Sequence, residues 1–179
     1  MLKRIANLFG SINEGIGKTV AWLTTCLVLF MCFDVVRRYL FNETAVWITE
    51  MEWHLFALIF LLSAGYALKH DKHVRVDLFY ANFSPKRKAW INLIGTIAFL
   101  IPWCLIIILA SYNYAHNSYM INESSPDPGG LPARYLIKFS ITLGFILLLL
   151  QAVALVLESI AIIIEKDSNQ EKDHTPVQF

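Results

Sequence analysis

The segment from Ala89 to Ala115 contains no charged residue. A helix of this length exceeds the roughly 20 residues that are needed to cross the apolar core of a bilayer. Charged residues make up only 16% of the chain, whereas they make up about 25% of a typical globular protein. The sequence therefore predicts an all-α integral membrane protein.

Four segments have the length and composition of membrane spans, although their signals differ in strength. The second is the weakest, because only Leu55 to Leu68 is free of charges and histidine. An alternative is three spans with one buried or re-entrant segment. An odd number of spans, however, would place the basic N-terminal segment and the basic connection 69–88 on opposite sides of the membrane. We predict a single four-helix domain, 1–165, followed by a polar cytoplasmic tail, 166–179; the spans cover about 17–38, 47–69, 89–113 and 136–164.

Lysine and arginine are concentrated on one side of such a four-span arrangement. Eleven of the 15 lie in the N-terminal segment, in the connection 69–88 or in the tail. Because an excess of positive charge marks cytoplasmic segments, both termini and the 69–88 connection are predicted to be cytoplasmic. The first span lacks a small-residue cleavage site after a short apolar core, so we expect it to be retained.

Two connecting segments mix apolar and polar residues, as amphipathic interfacial helices do. Residues 2–16 place their apolar side chains at helical spacing, which suits a helix lying on the inner membrane surface. A simple extension of the first span is an equal alternative. Residues 73–84 have a similar mixture, and Ser84 followed by Pro85 predicts the N-cap and first turn of the third helix.

Several classes of function are excluded by what the chain lacks. The net charge of +1 gives no basic field for nucleic acid, and the three cysteines all lie within apolar runs, unlike a disulfide scaffold. A haem would need histidines that face each other within the bundle. Only His54 lies within a span, near its outer end, and only His116, at the outer end of the third span, could approach it. We predict no cofactor, no metal and no enzymatic activity.

Charged residues near the outer ends of the first two spans need partners, because ions in a membrane are costly. If these spans form a hairpin that turns near residues 42–44, Arg37 and Glu50 lie at equal depth, and Asp34 lies level with Glu52 or His54. Asp34 also reaches Arg37 and Arg38 along its own helix. The candidate residues for membrane-embedded ion pairs or a subunit interface are Asp34, Arg37, Arg38, Glu50, Glu52 and His54.

The alternative for these charges is that they are structural anchors near the outer interface. A proton or ion path would need polar residues that continue inward, and the inner parts of the spans offer few of them: Ser63, Tyr66, Thr96, Ser140 and Thr142. The paired broken helices of an inverted-repeat carrier are also missing. The residues thus indicate a subunit that supports another protein.

Several motifs resemble one transporter family. They are the stretch FDVVRRYLFN at 33–42, EMEWHLF at 50–56 and HDKHVRVD at 70–77, together with Gly130-Leu131-Pro132 and Gln151 in the final span. They are similar to the small, DctQ-like membrane subunit of tripartite ATP-independent periplasmic (TRAP) transporters. The resemblance covers nearly all of residues 15–165, and the His-Val-Arg-Val-Asp motif is its most specific part.

The resemblance implies a partner system in the bacterial inner membrane. In that family, a periplasmic binding protein captures an organic acid, and a large subunit carries the acid by a sodium-driven elevator motion. The small subunit would scaffold the large one and contact membrane lipids. His73, Arg75 and Asp77 would lie at the cytoplasmic membrane surface, and the loop near 113–135, with Glu123, Asp127 and Arg134, would help to dock the binding protein.

Two other functions compete with this interpretation. The chain would be the membrane anchor of a redox enzyme complex if it bound haem, or a small stand-alone carrier if it moved solute by itself. The sequence does not name the transported substrate, because selectivity is expected to lie in the partners.

Overall fold

The structure, a computed structural model, describes residues 2–70 and 83–173, with side chains as far as Glu165. The described residues form four long helices without a strand, and each helix is long and apolar enough to cross a membrane. The predicted all-α, four-helix class is therefore confirmed, and each predicted span falls within one helix. The helices are α1, Leu2–Leu40; α2, Val46–Lys69; α3, Pro85–Met120; and α4, Tyr135–Asp173.

Helices α1 and α2 form the predicted hairpin. The turn between Leu40 and Val46 contains Asn42 with a φ of 53°, a left-handed conformation that asparagine tolerates better than most residues. Beside the turn, the rings of Phe30 and Trp47 meet edge to face with their centroids 6.3 Å apart. The turn and this aromatic contact hold the outer ends of the two helices together.

Helix α4 is the centre of the fold, because it contacts all three other helices, whereas α3 packs chiefly on α4. Small residues allow this close packing of membrane helices. Those buried on α3 are Ala89, Thr96, Cys104, Ser111, Ala115 and Ser118. Those buried on α4 are Ser140, Thr142, Gly144, Ala152, Ala154 and Ser159.

Residues 2–16 are the first part of α1 and continue directly into the span. This matches the alternative in which they are a simple extension of the first span. The inward side of this segment carries small residues, which let it lie close to α2 and α4: Ala6, Gly10 and Asn13. The large apolar residues of the segment remain exposed: Leu2, Ile5, Leu8 and Ile12. The segment is amphipathic, but its apolar side faces away from the bundle.

Helix α3 begins as the sequence predicts, and its middle is widened. The hydroxyl oxygen of Ser84 accepts a hydrogen bond from the backbone N–H of Arg87, and Pro85 occupies the first turn. Residues Thr96–Leu100 form a π-helical turn just before Pro102. Proline has no N–H and crowds the preceding turn, so the wider turn accommodates it without ending the helix.

Candidate functional site

The outer loop, residues 121–134 between α3 and α4, is fastened to α2 by one buried carboxylate. Glu50 is only 4% exposed. It accepts hydrogen bonds from the hydroxyl of Ser125 and the backbone N–H of Leu131, and the guanidinium of Arg134 lies 3.7 Å from it. Because these partners are spread along the loop, Glu50 holds several turns of the loop at once.

The loop itself is built to close tightly over Glu50. A Cβ atom at Gly130 would crowd the side chain of Ser125 and would lie 2.8 Å from Oε2 of Glu50, so a larger residue does not fit there. Gly129 has a φ of 79°, which favours glycine. The N–H of Arg134 also donates to the carbonyl of Glu123 over 2.9 Å. The glycine- and proline-rich segment is thus an ordered cap on the bundle.

A second ion pair ties the start of the outer loop to α4. The ammonium group of Lys138 donates to the carboxylate of Glu123 and lies 4.1 Å from the centroid of the Tyr114 ring. The hydrogen bond from Lys138 holds the pKa of Glu123 below its ordinary value. Both predicted ionic residues at the ends of the loop therefore have partners within the chain: Glu123 with Lys138, and Arg134 with Glu50.

The lowered pKa of Glu123 predicts how pH affects the outer loop. A carboxyl group whose pKa is lower in the folded state contributes stability above its ordinary pKa, and this contribution is lost as the pH falls through the lowered value. We expect the amide of Arg134 to keep its protection from hydrogen exchange between pH 7 and about pH 5 and to lose it at lower pH. Glu123→Gln should weaken this acid transition, because the other carboxylate that holds the loop, Glu50, still titrates; loosening that begins above pH 6 would contradict the assignment.

The outer end of α1 satisfies its charges locally. Arg38 pairs with the buried Asp34 one turn earlier, as expected, and Arg37 pairs with Glu43 in the hairpin turn over 2.7 Å. The predicted pairing of Arg37 with Glu50 is wrong. The two residues lie on adjoining helices, but Glu50 is directed towards the outer loop, and the turn supplies a nearer carboxylate to Arg37.

The other two candidate residues on α2, His54 and Glu52, have different surroundings. His54 directs Nδ1 at the carbonyl of Glu50 over 2.5 Å, and its ring stacks on that of Trp53. Asp34, predicted to lie level with Glu52 or His54, bonds instead along its own helix to Arg38. Glu52 is half-buried and forms no hydrogen bond or ion pair within the described part of the chain.

Two polar clusters nearer the inner end were not predicted. Glu14 of α1 bonds to Lys69 and His70 at the end of α2, over 2.9 and 2.8 Å. Asn13 is 1% exposed, and its amide donates to the carbonyl of Leu147 and to Gln151 of α4, each over 3.3 Å.

The spacing of Asn13 from other buried residues of α1 could have indicated its burial. Asn13, Val20 and the buried Asp34 are separated by multiples of seven residues, so they share one side of a helix that packs as in a coiled coil. In the outer part of the bundle, the hydroxyls of Ser111 and Thr142 lie 2.9 Å apart and join α3 to α4. This contact and those of Asn13 thus link neighbouring helices through buried polar groups.

The two histidines weighed for a haem each contact a group of their own helix. His54 bonds within α2, and His116 stacks on Tyr112 of its own helix. Within residues 2–70 and 83–165, no group of three histidine, cysteine or acidic side chains is placed to hold a metal ion. His73, Arg75 and Asp77 of the predicted cytoplasmic motif lie outside the described residues.

These features define a class of protein: a multi-pass membrane protein whose internal charges fasten its own helices and its outer loop. The sequence also matches the family described as "Tripartite ATP-independent periplasmic transporters, DctQ component" over residues 27–161. The chain belongs to this family, as the motifs predicted, and it is a multi-pass protein of the bacterial inner membrane. This family consists of transporter components, not of enzymes.

Two curated relatives from Vibrio cholerae serotype O1 are similar to the chain. One is a C4-dicarboxylate TRAP transporter small permease protein, DctQ, which is 26% identical over 113 residues; the match covers 63% of this chain and 47% of the relative. The other is a sialic acid TRAP transporter small permease protein, SiaQ, which is 26% identical over 118 residues and 66% of each chain. The chain thus spans about half of the first relative and just under two thirds of the second.

Proposed function

We propose that this chain is the small permease subunit that scaffolds a large, elevator-type membrane subunit in the sodium-driven, binding-protein-dependent uptake of an organic acid. Membership of the DctQ component family supports the subunit class. The two relatives are named as a C4-dicarboxylate transporter subunit and a sialic acid transporter subunit. Both are organic acids, which supports the same broad class of substrate here.

One structural observation carries the scaffold role. Two contacts between buried polar side chains join different helices: Asn13 with Gln151, and Ser111 with Thr142. Groups used in this way fix the helices to each other. The exterior of α1 and α3, by contrast, exposes large apolar residues such as Leu29, Phe99 and Leu109. A rigid interior with a broad apolar exterior suits a subunit that steadies a neighbour in the membrane.

Reconstitution tests this function directly. Proteoliposomes that contain the chain, the large membrane subunit and the binding protein are expected to take up the organic acid when a sodium gradient is applied. Omitting the chain should abolish uptake, and vesicles that hold the chain alone should take up nothing. Uptake by the chain alone would establish a stand-alone carrier and overturn the proposal, and a haem absorbance band in the purified chain would favour the redox anchor instead.

Glu52 supports a more specific proposal about the subunit interface. It lies within α2 as a half-buried carboxylate without a bonded partner among the described residues, and such a group in a membrane requires an opposite charge or a donor. We expect the large subunit to supply it. Glu52→Gln should therefore reduce the amount of large subunit that co-purifies in mild detergent, while the thermal stability of the chain alone stays the same.

The matched control is Thr49→Val, because Thr49 is exposed on the same helix and near the same end. Equal recovery of the large subunit with Glu52→Gln and with Thr49→Val would remove Glu52 from the interface. The roles proposed for Asp34, Arg37, Arg38 and His54 are then structural, because each has a partner within the chain.

The outer loop is proposed to contact the periplasmic binding protein through its tip. Its ends are fixed by Glu123 and Arg134, which bond inward, whereas Asp127 is exposed between two exposed prolines. A rigid tip loses little conformational entropy on binding, so it suits a docking contact. Within the predicted trio, Asp127 would meet the partner, and Glu123 and Arg134 would position the loop.

Asp127→Lys tests this docking role. Reversing an exposed charge at the rim of an interface changes mainly the association rate, and we expect binding of the binding protein to weaken by about tenfold at low salt. The control is Ser124→Lys, which introduces the same charge at an exposed position nearer the base of the loop. Unchanged affinity for Asp127→Lys, or an equal loss in the control, would contradict the proposal.

A further inference from the structure

A groove of about 570 Å³ opens between the outer halves of α2 and α4, with Tyr114 of α3 at its edge. Its walls are apolar along most of its length: Phe56, Ala57, Phe60, Leu61, Ile137 and Ile141. Its mouth is ionic and carries Glu123, Arg134 and Lys138 beside Trp53. The groove thus combines a long apolar channel with a charged entrance. This lining is complementary to an amphipathic ligand, which has an apolar chain and a charged head group.

The position of the groove indicates where such a ligand comes from. From Trp53 to Leu61, α2 advances about 12 Å along its axis, so the channel runs from the outer end of the bundle towards its middle. Phe56 and Phe60 are 63% and 69% exposed, and the channel is therefore open to the side. A lateral opening on membrane-spanning helices faces the acyl chains of the outer leaflet.

The mouth has donors and an acceptor for a head group. The guanidinium of Arg134 lines the mouth, near Glu50 and over the ring of Trp53. Guanidinium groups form bidentate hydrogen bonds with phosphate oxygens as they do with carboxylates. Arg134 has the buried Glu50 behind it and Lys138 is paired with Glu123, so the ionic groups around the mouth sum to no net charge and are complementary to a zwitterion.

We propose that this groove is a binding site for one zwitterionic phospholipid of the outer leaflet. Its phosphate accepts hydrogen bonds from Arg134 and Lys138, its ammonium group lies near Glu123, and one acyl chain runs along Phe56 and Phe60. The proposal goes beyond the scaffold function and does not depend on the identity of the transported acid.

The test uses the full-length chain, purified in mild detergent with its bound partners after equilibration with vesicles of equal phosphatidylethanolamine and phosphatidylglycerol. After washing, we expect phosphatidylethanolamine to be retained at close to one molecule per chain. Ala57→Trp fills the channel without changing the residues of the ion pairs. It should lower retention of the lipid by about tenfold, because the acyl chain then loses the burial of one or two methylene groups.

Two further variants separate a specific site from ordinary lipid. Ala110→Trp places the same ring on an exposed position of α3 outside the groove, and retention should stay at the wild-type level. Arg134→Lys keeps the charge near Glu50 but removes the planar guanidinium that binds phosphate through two donors, and it should reduce retention even if Ala57→Trp fails to fold. Equal retention in Ala110→Trp and Ala57→Trp, or wild-type retention in Arg134→Lys, would overturn the proposal.

A photoreactive benzoylphenylalanine at position 60 identifies the occupant itself. Crosslinking to phosphatidylethanolamine supports the site. Crosslinking to a polypeptide would show that a protein partner fills the groove, and selective capture of phosphatidylglycerol would show that the site prefers an anionic head group. Either result would overturn the proposal while leaving the scaffold function intact, because that function is tested separately by uptake.

Discussion

Glu50→Gln is expected to cause the largest loss of stability of any conservative change in the outer half of the bundle. The carboxylate is buried and bonds to Ser125, Leu131 and the Arg134 guanidinium. Removing one member of a buried ionic network leaves the opposite charge uncompensated. The apparent melting temperature of the purified chain should fall by about 10 °C, and protease cleavage within residues 121–134 should become faster.

Glu52→Gln is the matched control for this change, because it removes the same charge two residues further along α2. Glu52 is bonded to none of the described residues, so this variant should melt at the wild-type temperature and keep the outer loop resistant to protease. If both variants melt alike, Glu50 does not fasten the outer loop. A Glu50→Gln chain that loses stability while its loop remains protected would instead place the effect within α2.

The features that the sequence predicts well are those that depend on neighbouring residues. The uncharged run in α3 identifies a span by its length alone. The cap of α3 follows from Ser84 and Pro85, because both act within one helical turn. The hairpin turn at Asn42 is of the same kind. In each case, the energy that selects the structure comes from residues close together along the chain.

The features that failed depend on how the helices are shifted along and rotated about their own axes. Phe30 of α1 meets Trp47 of α2, so α1 extends further outward than a symmetric hairpin predicts, and Arg37 lies level with Glu43 of the turn instead of Glu50. Asn13 has the polarity of a surface residue, and only its seven-residue spacing from Val20 indicates that it faces α4. The long-range partners of Glu50 in the outer loop lie more than 70 residues away in sequence, so no local pattern encodes them.

Gly144→Ala is the second change with a large expected effect, and it tests the packing of α2 on α4. A Cβ atom at position 144 would lie 2.7 Å from the carbonyl oxygen of Leu61. That oxygen belongs to the backbone of α2, so the contact is relieved only if the two helices move apart along much of their shared surface. Overpacking of this kind costs about 1–3 kcal/mol, and the apparent melting temperature should fall by about 5 °C.

Gly15→Ala provides a control with the opposite expected sign. Nothing lies within 4 Å of a Cβ atom built at Gly15, which is an exposed residue within α1. Alanine is the better helix former by up to about 1 kcal/mol, so this variant should melt at or slightly above the wild-type temperature. Because the two substitutions add the same methyl group, a difference between them measures the close approach of α2 and α4. If Gly144→Ala melts like Gly15→Ala, the two helices are further apart than this packing requires, and α4 is then not the tightly held centre on which the scaffold function depends.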